Sequence, residues 1–388
     1  MNRRVFLRNA NMAAVSLAAG GGLLGCVKRP VGAAIATGAL PVNLPETACH
    51  LPRVRVSAER EIRTVVGLRP FRPSGFRVAK EMVGETAVVH NYGHGGGGIT
   101  LSWGTSKLAV DLGLPGHVGP VAVLGCGAVG LATARLVQEA GFEVTIYTKA
   151  MPPETTSNIA GGQWLPASVY DSEKTLTPEF TQQFVAAAQY GYRRYQIMTD
   201  PRYGIRWMRN YQLSDAPWHS HPGQNGLLEG LLPEAKDLPA GTHSFGNKFV
   251  RQFDGMLVEP PIYLPAMLTD VRIAGGKVVV RELKGLDEVR GLPEKLVFNC
   301  TGLGAKALFG DGELTPIRGQ LTVLLPQPEV TYATVYENTY MFSRRDGVVL
   351  GGTHEMGDWN LQPDMTTKAA IMAKQAQLFD GMRDCLTG

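Results

Sequence analysis

The clearest succession of apolar patterns along the chain lies between residues 121 and 148. The run VAVLG is apolar at every side chain, as in a strand buried on both faces of a parallel sheet. The glycine turn GCGAVG follows, then the helically spaced apolar positions of LATARLVQEAG and a second strand-like run, FEVTIYT. Strand, glycine turn, helix and strand in this order predict a βαβ unit of the Rossmann type.

The glycine turn of this unit has the spacing that a dinucleotide cofactor needs. Gly125 permits the tight turn, and Gly127 lets the backbone approach a pyrophosphate held at the helix N-terminus. Gly130 lets the helix pack closely on the strand. We therefore predict four cofactor-binding residues here: Gly125, Gly127, Ala128 and Gly130.

The end of the second strand lacks the acidic residue that usually binds the ribose hydroxyls of the adenosine. The segment TIYTKAMPPE has Thr148 and Lys149 at this place. A threonine hydroxyl can accept a weaker version of that hydrogen bond, and Lys149 can face phosphate or solvent. The adenosine contacts are therefore left open by the sequence.

The rest of the chain predicts further strands and helices around this unit. Upstream, RVRVSAEREIRTVV, GFRVAKE and TAVVH are strand-like, GLRPFRPSG is typical of a turn, and SWGTSKLAVDLG favours a helix. Residues 166–290 have a mixed pattern of short strands and long connections, with a helix around 262–274. The segments LVFNC, IRGQLTVLLP and GVVLGGT predict strands, and TTKAAIMAKQAQLF predicts a helix. The fold class is α/β, with a Rossmann-like domain and a mixed-sheet domain.

The N-terminus, MNRRVFLRNANMAAVSLAAGGGLLGC, has the charged start, apolar middle and small-residue end of a signal peptide. Arg3 and Arg4 resemble a twin-arginine export signal, and Leu23 to Cys26 resemble a lipobox whose cysteine receives a lipid. We expect an exported lipoprotein on the periplasmic side of the membrane, anchored through Cys26, with residues 27–56 as a tether. An ordinary secretion signal and a short membrane anchor are the alternatives.

Charge and cysteine content exclude some classes of function. The net charge of +4 is small and partly N-terminal, and no basic tract is interleaved with aromatic residues, so nucleic acid is not an expected partner. No CxxC motif or cluster of His and Cys predicts a metal site. Cys126 and Cys300 are expected to be buried, and with Cys49 and Cys385 they predict no disulfide framework.

Motifs along most of residues 60–360 resemble the D-amino-acid oxidase and D-aspartate oxidase family of FAD enzymes. These motifs are GLRPFRPSGFR (67–77), VVHNYGHGGGGITLSWG (88–104), VAVLGCGAVGL (121–131), TTSNIAGGQWLP (155–166), NCTGLGAKAL (299–308), PIRGQ (316–320) and GGTHEMGDWN (351–360). In that family the nucleotide turn opens the chain, whereas here the arginine motif and HNYGHGG precede it. We interpret this order as a circular permutation joined at DLGLPGHVGP (111–120); a scrambled sequence is the alternative.

The resemblance implies a division of the chain into segments. Residues 1–26 are the signal, 27–56 the tether, 57–115 the permuted flavin and substrate segment, and 116–165 the Rossmann FAD-binding segment; 166–290 form mainly the substrate domain, and 291–388 contribute to both domains. If the permutation is real, residues 57–115 complete the sheet and the flavin site that begin at 121.

The family's chemistry is hydride transfer from the substrate α-carbon to flavin N5, which needs orientation rather than a general base. The resemblance assigns Arg69 to the substrate carboxylate, Tyr340 to a hydrogen bond with the same group, and Tyr336 to the loop that covers the site. The Gly96 carbonyl would accept from the substrate amine. A structural salt bridge for Arg69, and two aromatic residues on one strand face, are the alternatives.

The resemblance also implies flavin contacts. They are Gly95, Gly96, Gly98, Ile99 and Thr100 in the glycine loop, Thr155, Thr156, Ser157, Gly162 and Gln163 in the second segment, and Leu283 on the adenosine side. We expect structural roles for Arg72, His90 and His94.

The expected function is FAD-dependent oxidative deamination of D-amino acids to 2-oxo acids, ammonia and hydrogen peroxide. The covering segment PEVTYATVYENT has no Arg or Lys and carries Glu329 and Glu337, which favours neutral or basic substrates, although Arg206 or Arg251 can still reach the site. The alternatives are a membrane-associated dehydrogenase with an acceptor other than oxygen, and a non-catalytic lipoprotein with a flavin fold. The oligomeric state is not predicted.

Overall fold

The computed structural model describes residues 47–172, 176–219 and 226–385. The predicted signal with Arg3, Arg4 and Cys26, and the tether up to residue 46, lie outside the described residues.

The described chain folds into two sheets with helices packed on them. The strands are β1 (Glu61–Phe71), β2 (Arg77–Val83), β3 (Thr86–Tyr92), β4 (Val121–Leu124), β5 (Val144–Thr148), β6 (Ile205–Ser214), β7 (Lys236–Leu238), β8 (Phe249–Val258), β9 (Lys277–Val280), β10 (Leu296–Asn299), β11 (Thr315–Leu324), β12 (Tyr332–Tyr336), β13 (Thr339–Arg344), β14 (Gly347–Gly351) and β15 (Glu355–Met356). The α-helices are α1 (Gly98–Gly113), α2 (Ala128–Glu139), α3 (Pro178–Ile197), α4 (Pro260–Ile273), α5 (Leu286–Arg290), α6 (Gly304–Phe309) and α7 (Met365–Asp380). Short 3-10 helices span Ala58–Arg60, Gly95–Gly97, Thr156–Ile159, Pro201–Tyr203 and Gly226–Leu228.

The six-stranded sheet has the order β2-β3-β10-β4-β5-β9 and is parallel except for the edge strand β2. Its central strand β4 is buried at every residue, as the apolar run VAVL predicts. Val121 and Val123 pack in the cluster that contains α1 to α4, whereas Ala122 and Leu124 face the cluster with α5 and α6. Helices therefore cover both faces of this sheet, as in doubly wound α/β folds.

The nine-stranded sheet has the order β1-β11-β14-β13-β12-β6-β8-β7, with β15 paired to β11. All its pairings are antiparallel except the parallel pair β12 and β6. One face packs against α7 through Ile371, Leu378 and Phe379. The α/β prediction with a second, mixed sheet is confirmed.

Residues 57–115 are built into both sheets rather than forming a domain of their own. Strand β1 pairs with β11 in the nine-stranded sheet, and β3 pairs in parallel with β10 in the six-stranded sheet. Helix α1 packs against α2 and α3. The expectation that this segment completes the sheet begun at residue 121 is confirmed.

The turn predicted over GLRPFRPSG begins later than expected. Gly67 to Phe71 continue strand β1, so Arg69 lies within a strand. Pro70 fits there because β1 is the edge strand of its sheet, with Pro70 opposite Pro316.

The 20-residue helix α3 was missed in the region predicted to hold short strands. Thr177 caps its N-terminus by accepting from the backbone N–H of Phe180, and Pro178 occupies the first turn. Its buried positions recur with helical spacing at Phe180, Phe184, Ala187, Ala188, Gly191, Tyr192 and Tyr195. Strand β9, within the segment 166–290 that was predicted to form mainly the substrate domain, joins the six-stranded sheet.

The tether prediction is wrong from Ala48 onward. Ala48, Leu51 and Val54 are buried in the cluster that contains α7. The apolar spacing of these side chains lets the segment pack as part of the core.

A disulfide that the sequence analysis did not predict joins Cys49 to Cys385, with a Cα–Cα distance of 5.4 Å and a sequence separation of 336 residues. Cys126 and Cys300 are free and buried, as predicted. Neither a group of three or more metal-ligating side chains nor a helix long and apolar enough to cross a bilayer occurs in the described ranges.

We expect removal of this disulfide to lower the stability of the folded protein, because it restricts the unfolded chain over a long loop. The double variant Cys49→Ser/Cys385→Ser should melt about 4–10 °C below the wild type. Thermal unfolding followed by circular dichroism measures the difference.

Reductant provides the matched control. Dithiothreitol should lower the wild-type melting temperature to that of the double variant and leave the double variant unchanged. Equal melting temperatures for the oxidised wild type and the double variant would show that the disulfide contributes no stability.

Candidate functional site

A cavity of about 1770 Å³ runs along the carboxyl ends of the parallel strands and reaches the nine-stranded sheet. Sites for one small ligand typically measure about 300–1,000 Å³, so this cavity has room for an elongated cofactor and a second molecule. The predicted site residues that line it are Arg69, Gly95, Gly96, Gly98, Ile99, Thr100, Gly125, Gly127, Ala128, Thr155, Thr156, Ser157, Gly162, Gln163, Leu283 and Tyr340.

The nucleotide turn lies between β4 and α2, as predicted. Gly125 has φ +103°, and a Cβ at this position would lie 2.6 Å from the Cys300 carbonyl oxygen. Helix α2 starts at Ala128, which lines the cavity, so the positive end of the helix dipole faces the cavity. Burial raises the pKa of Cys126 to about 12, so its thiol is neutral beside an anionic ligand.

Gly130 does not line the cavity. A Cβ at this position would overlap the backbone carbonyl of Gly125, so its role is the close packing of helix on strand. The sequence assigned this packing role correctly, but direct cofactor contact by Gly130 is not supported by its position.

The second flavin segment is tied to the nucleotide turn. Ser157 Oγ accepts from the backbone N–H of Ala128 at 3.0 Å, and Thr155 donates to the Asn158 side chain at 2.8 Å. Gln163 donates from Nε2 to the Asn210 side chain on β6 at 2.8 Å. This segment therefore links the two sheets along one wall of the cavity.

The other end of the cavity lies beside the ends of β5 and β9. Thr148 donates its hydroxyl to the Ala150 carbonyl at 2.7 Å, so the oxygen keeps only acceptor capacity toward a ligand. The segment after β9 brings Arg281, Glu282 and Leu283 to the same wall. Of these three residues, only Leu283 was predicted from the sequence to contact the cofactor.

The glycine loop lies between β3 and α1, directly against residues 166–169. Gly95 has φ +54°, and a Cβ there would overlap the Ser168 carbonyl oxygen. A Cβ on Gly96 would lie 2.6 Å from the Ala167 carbonyl oxygen. The close approach that requires these glycines is therefore made to the protein's own backbone. Both residues also line the cavity, and their contacts with the flavin stay a prediction. Gly98 differs, since its nearest contact would be His94 Cβ at 3.9 Å.

His90 and His94 make structural contacts, in agreement with the sequence analysis. His94 Nε2 lies 2.8 Å from Thr105 Oγ1, and its ring stacks on Phe76 with centroids 5.4 Å apart. Burial lowers the pKa of His94 to about 3, so the ring is neutral at physiological pH. His90 contacts the Asn299 side chain at 3.1 Å, and burial lowers its pKa as well.

Arg69 reaches the cavity from the edge strand β1. Its Nη1 makes only long contacts of 3.4 Å to the carbonyl oxygens of Arg318 and Thr353. A Cβ on Gly319 would lie 2.5 Å from Nη1, so the glycine of the PIRGQ motif makes room for the guanidinium. Within the described residues, Arg69 forms no ion pair with a carboxylate.

Tyr340 lies in the same wall as Arg69. Its ring stacks on Phe342 with centroids 4.6 Å apart, and both Tyr340 and Arg69 line the cavity. Burial raises the pKa of Tyr340 against the opposing effect of Arg69 and Arg344. The hydroxyl is therefore protonated at neutral pH and can donate to an anion beside Arg69.

Tyr336 does not reach the cavity, and its predicted place over the site is wrong. Its hydroxyl donates to Asp215 at 2.6 Å and accepts from Lys248 at 2.9 Å. The four-residue spacing to Tyr340 spans a hairpin in which Tyr336 pairs with Thr339 and Val335 pairs with Tyr340. Because successive strand residues face opposite sides, Val335 and Tyr340 share the cavity face and Tyr336 lies behind it.

The other charged residues considered in the sequence form ion pairs with other residues of the protein. Arg72 is buried and binds Asp311 at 2.9 Å, which agrees with its expected structural role. Arg206 pairs with Glu259, Arg251 with Asp237, Glu329 with Arg55 and Glu337 with Lys374. Neither Arg206 nor Arg251 lines the cavity.

Residues 354–362, most of which belong to the motif GGTHEMGDWN (351–360), form the rim of the cavity near Arg69. No roles were predicted for them from the sequence. Trp359 and Leu361 line the cavity and are 52% and 58% exposed, and Leu165 (41% exposed) lines it as well. His354 Nε2 lies 3.1 Å from Ser168 Oγ, which joins the rim to the segment beneath the glycine loop. Buried Arg318 holds the rim by donating to the carbonyl oxygens of Asn360 and Gln362 at 2.7 and 2.6 Å.

A glycine turn of the dinucleotide-binding type, the segment 155–163 and Arg69 line one cavity, which fits an enzyme with a dinucleotide cofactor. The sequence matches the DAO family, described as FAD-dependent oxidoreductases, over residues 21–112 and 120–387. The chain therefore belongs to this family, and its cofactor is FAD.

Similar proteins include oxidases of D-amino acids. A D-amino-acid oxidase from Rubrobacter xylanophilus is 31% identical over 270 residues, which cover 67% of this chain and 77% of that protein. Human D-aspartate oxidase is 29% identical over 262 residues, or 66% of this chain and 74% of that protein. Among solved structures, glycine oxidase from Bacillus cereus aligns with 66% of this chain and 79% of that chain, at 17% identity and a TM-score of 0.48.

The residues of the cavity fit this cofactor. The glycine turn from Gly125 to Ala128 lies at the N-terminus of α2 beside the cavity, and the positive end of the helix dipole there suits a pyrophosphate. The segment from Gly98 to Thr100 opens α1 toward the same cavity and can present backbone N–H groups to the flavin ring. The N-terminus of α2 would hold the pyrophosphate of FAD, the N-terminus of α1 would face its flavin ring, and the ends of β5 and β9 would lie on its adenosine side.

The glycine loop predicts a contrast between two alanine substitutions. Gly95→Ala forces a side chain into the left-handed region and against Ser168, so it should destabilise the flavin-free protein by at least about 2 kcal/mol. Gly98→Ala has space for its Cβ, so the stability of the flavin-free protein should not fall. Chemical denaturation of both variants without FAD measures the difference, and equal stability would contradict the tight contact at Gly95.

Proposed function

We propose that this protein oxidatively deaminates D-amino acids to 2-oxo acids and ammonia, and passes the electrons to oxygen to form hydrogen peroxide. The observation that carries the proposal is the guanidinium of Arg69, which faces the cavity without a carboxylate partner among the described residues. A buried or half-buried arginine normally has an anionic partner, so a substrate carboxylate fits this position.

FAD supplies the hydride acceptor, at its N5 atom. The chain's own residues hold the substrate for this transfer. Arg69 binds the carboxylate through two parallel N–H donors, and the protonated hydroxyl of Tyr340 donates to the same group. The Gly96 carbonyl accepts from the substrate amine, which must be neutral for the amine nitrogen to support loss of the hydride. With its carboxylate and its amine both bound, the substrate has its α-carbon held in a fixed orientation.

Proton abstraction by a side chain is not needed in this scheme. His94 is neutral but uses Nε2 for its contact with Thr105, inside the wall of the cavity. The acidic side chains among the described lining residues are Glu154, in the turn after β5, and Glu282, after β9. Neither lies on the strands that carry Arg69 and Tyr340.

The charges around the cavity favour a neutral substrate side chain. Lys149, Arg281 and Lys284 line the cavity beside β5 and β9, so they are not placed to bind a second carboxylate beside Arg69. Leu165, Trp359 and Leu361 supply apolar surface on the rim. Within the neutral and basic classes favoured by the sequence, the rim supports the neutral class more strongly.

The test is a panel of D-alanine, D-phenylalanine, D-lysine and D-aspartate, with the L-enantiomers as controls, on the FAD-loaded protein. Neutral D-amino acids should bleach the flavin and release peroxide in air. Bleaching without peroxide would favour a dehydrogenase with another acceptor. Absence of flavin reduction by every D-amino acid would overturn the proposal and favour a non-catalytic role.

Substitution of Arg69 tests the carboxylate contact within the same assay. Arg69→Ala should lower kcat/KM by roughly 10- to 100-fold, mainly through KM, because it removes charge-assisted hydrogen bonds worth about 1.5–3 kcal/mol. Arg63→Ala is the matched control, since Arg63 lies on the same strand and pairs with Asp346 outside the cavity. Both variants should retain FAD; unchanged kinetics for Arg69→Ala would remove its role.

We also propose that the protein is exported by the twin-arginine route and anchored on the periplasmic side by a lipid on Cys26. The N-terminal pattern supports this proposal, and so does the Cys49–Cys385 disulfide, because disulfides persist in oxidising compartments. The expected result is membrane-fraction protein labelled by radioactive palmitate, with neither label nor membrane retention in Cys26→Ala. A labelled Cys26→Ala variant would contradict lipidation at this cysteine.

The order of segments supports a circular permutation as the origin of the chain. The match to the family is interrupted at residues 113–119, inside the junction predicted at 111–120. Helix α1 ends at Gly113 and β4 starts at Val121, so the junction is a short connection between a helix and a strand. The two ends of the described chain meet at the Cys49–Cys385 disulfide, where an unpermuted chain would be continuous.

A further inference from the structure

We propose that Glu282, at the end of β9, binds the ribose hydroxyls of the adenosine part of FAD. In a Rossmann unit this contact usually comes from an acidic residue at the end of the strand that follows the glycine-turn helix. That strand is β5 here, and it ends in Thr148 followed by Lys149, neither of which is acidic. A carboxylate from the adjacent strand takes this role.

The sheet topology brings Glu282 to the required place. Strands β4, β5 and β9 are neighbours and parallel, so their carboxyl ends lie along the same edge. Thr148 pairs with Val280, and the backbone N–H of Arg281 donates to the Thr148 carbonyl at 2.8 Å. Glu282 is therefore the second residue beyond the partner of Thr148, and it lines the cavity together with Thr148.

The carboxylate of Glu282 is free to bind hydroxyl groups. Within the part of the chain that the structure describes, its one ion pair is to Lys149 at 3.9 Å, with the Glu282 side chain 55% and the Lys149 side chain 72% exposed. An exposed pair at this distance holds neither group strongly. The neighbouring Arg281 is committed to Glu288 at 2.9 Å. An ionised carboxylate accepts through both oxygens, which suits the two adjacent hydroxyls of a ribose.

The other side chains along the same wall are less suited to bind the ribose hydroxyls. The proton of the Thr148 hydroxyl is donated to Ala150, so this side chain offers a neutral acceptor only. Glu154 also lines the cavity, but it lies in the turn closed by its own N–H bond to the Met151 carbonyl, six residues beyond Thr148. Glu282 combines a negative charge with a position at the strand end.

The test measures flavin affinity and does not depend on the substrate proposed above. The flavin-free full-length chain is titrated with FAD and with FMN, which lacks the adenosine, and quenching of flavin fluorescence gives each Kd. Glu282→Gln should weaken FAD binding about tenfold or more, because a hydrogen bond to a charged group is lost, and should leave the Kd of FMN unchanged. Glu154→Gln is the matched control and should change neither value.

An FAD analogue with 2′-deoxyadenosine tests the same contact from the ligand side, without relying on a variant. The wild type should bind this analogue more weakly than FAD, and Glu282→Gln should bind the two equally. Wild-type affinity of Glu282→Gln for FAD, equal losses for FAD and FMN, or a loss confined to Glu154→Gln would each overturn the proposal.

Discussion

The site depends on the parallel pairing of β3, β10 and β4. These three strands come from distant parts of the chain, yet they are neighbours in one sheet with matched register, Asn299 standing beside His90 and beside Leu124. Parallel strands end at the same edge and lie about 4.8 Å apart, so the turns that follow them are brought together. The glycine loop at 93–98, the turn at 300–302 and the nucleotide turn at 125–128 thereby become one wall of a single cavity.

The pairing of β1 with β11 places a charged side chain, that of Arg69, opposite this wall of the cavity. The antiparallel pairing of β1 with β11 carries Arg69 across from the other sheet, and Gly319 leaves the space that its guanidinium occupies. Arg72, three residues further on, is instead held by Asp311, which also accepts a hydrogen bond from the Tyr92 hydroxyl at 2.7 Å. One arginine of the motif therefore stabilises the fold, while the other keeps its hydrogen-bonding capacity for a ligand. The same division separates the two tyrosines, because Tyr340 faces the cavity and Tyr336 binds Asp215 and Lys248.

Several features could not be predicted because they depend on contacts between distant residues. The disulfide between Cys49 and Cys385 needs two residues 336 positions apart to meet, and spacing in the sequence carries no information on that distance. The position of Tyr336 depended on the hairpin turn between β12 and β13. Because of this turn, Tyr336 and Tyr340 lie on opposite faces of the sheet although they are four residues apart. Helix α3 was the exception, since its cap at Thr177 and its helical apolar period were visible in the sequence and were not used.

The sequence by itself determined the βαβ unit and its dinucleotide-binding turn, since apolar periodicity and the glycine spacing of 125–130 are local properties of the chain. The family and its FAD cofactor were indicated by the resemblance of motifs spread over residues 60–360. Tertiary structure alone decided which charged groups remain available. Whether Arg69 is free and Arg72 paired, and whether a carboxylate stands beside Thr148, follows from the strands that become neighbours. Strand pairing is set by the burial of whole faces rather than by the residues of one motif, and the pairing of β9 with β5 brings Glu282, which follows β9, to the strand end where β5 lacks an acid.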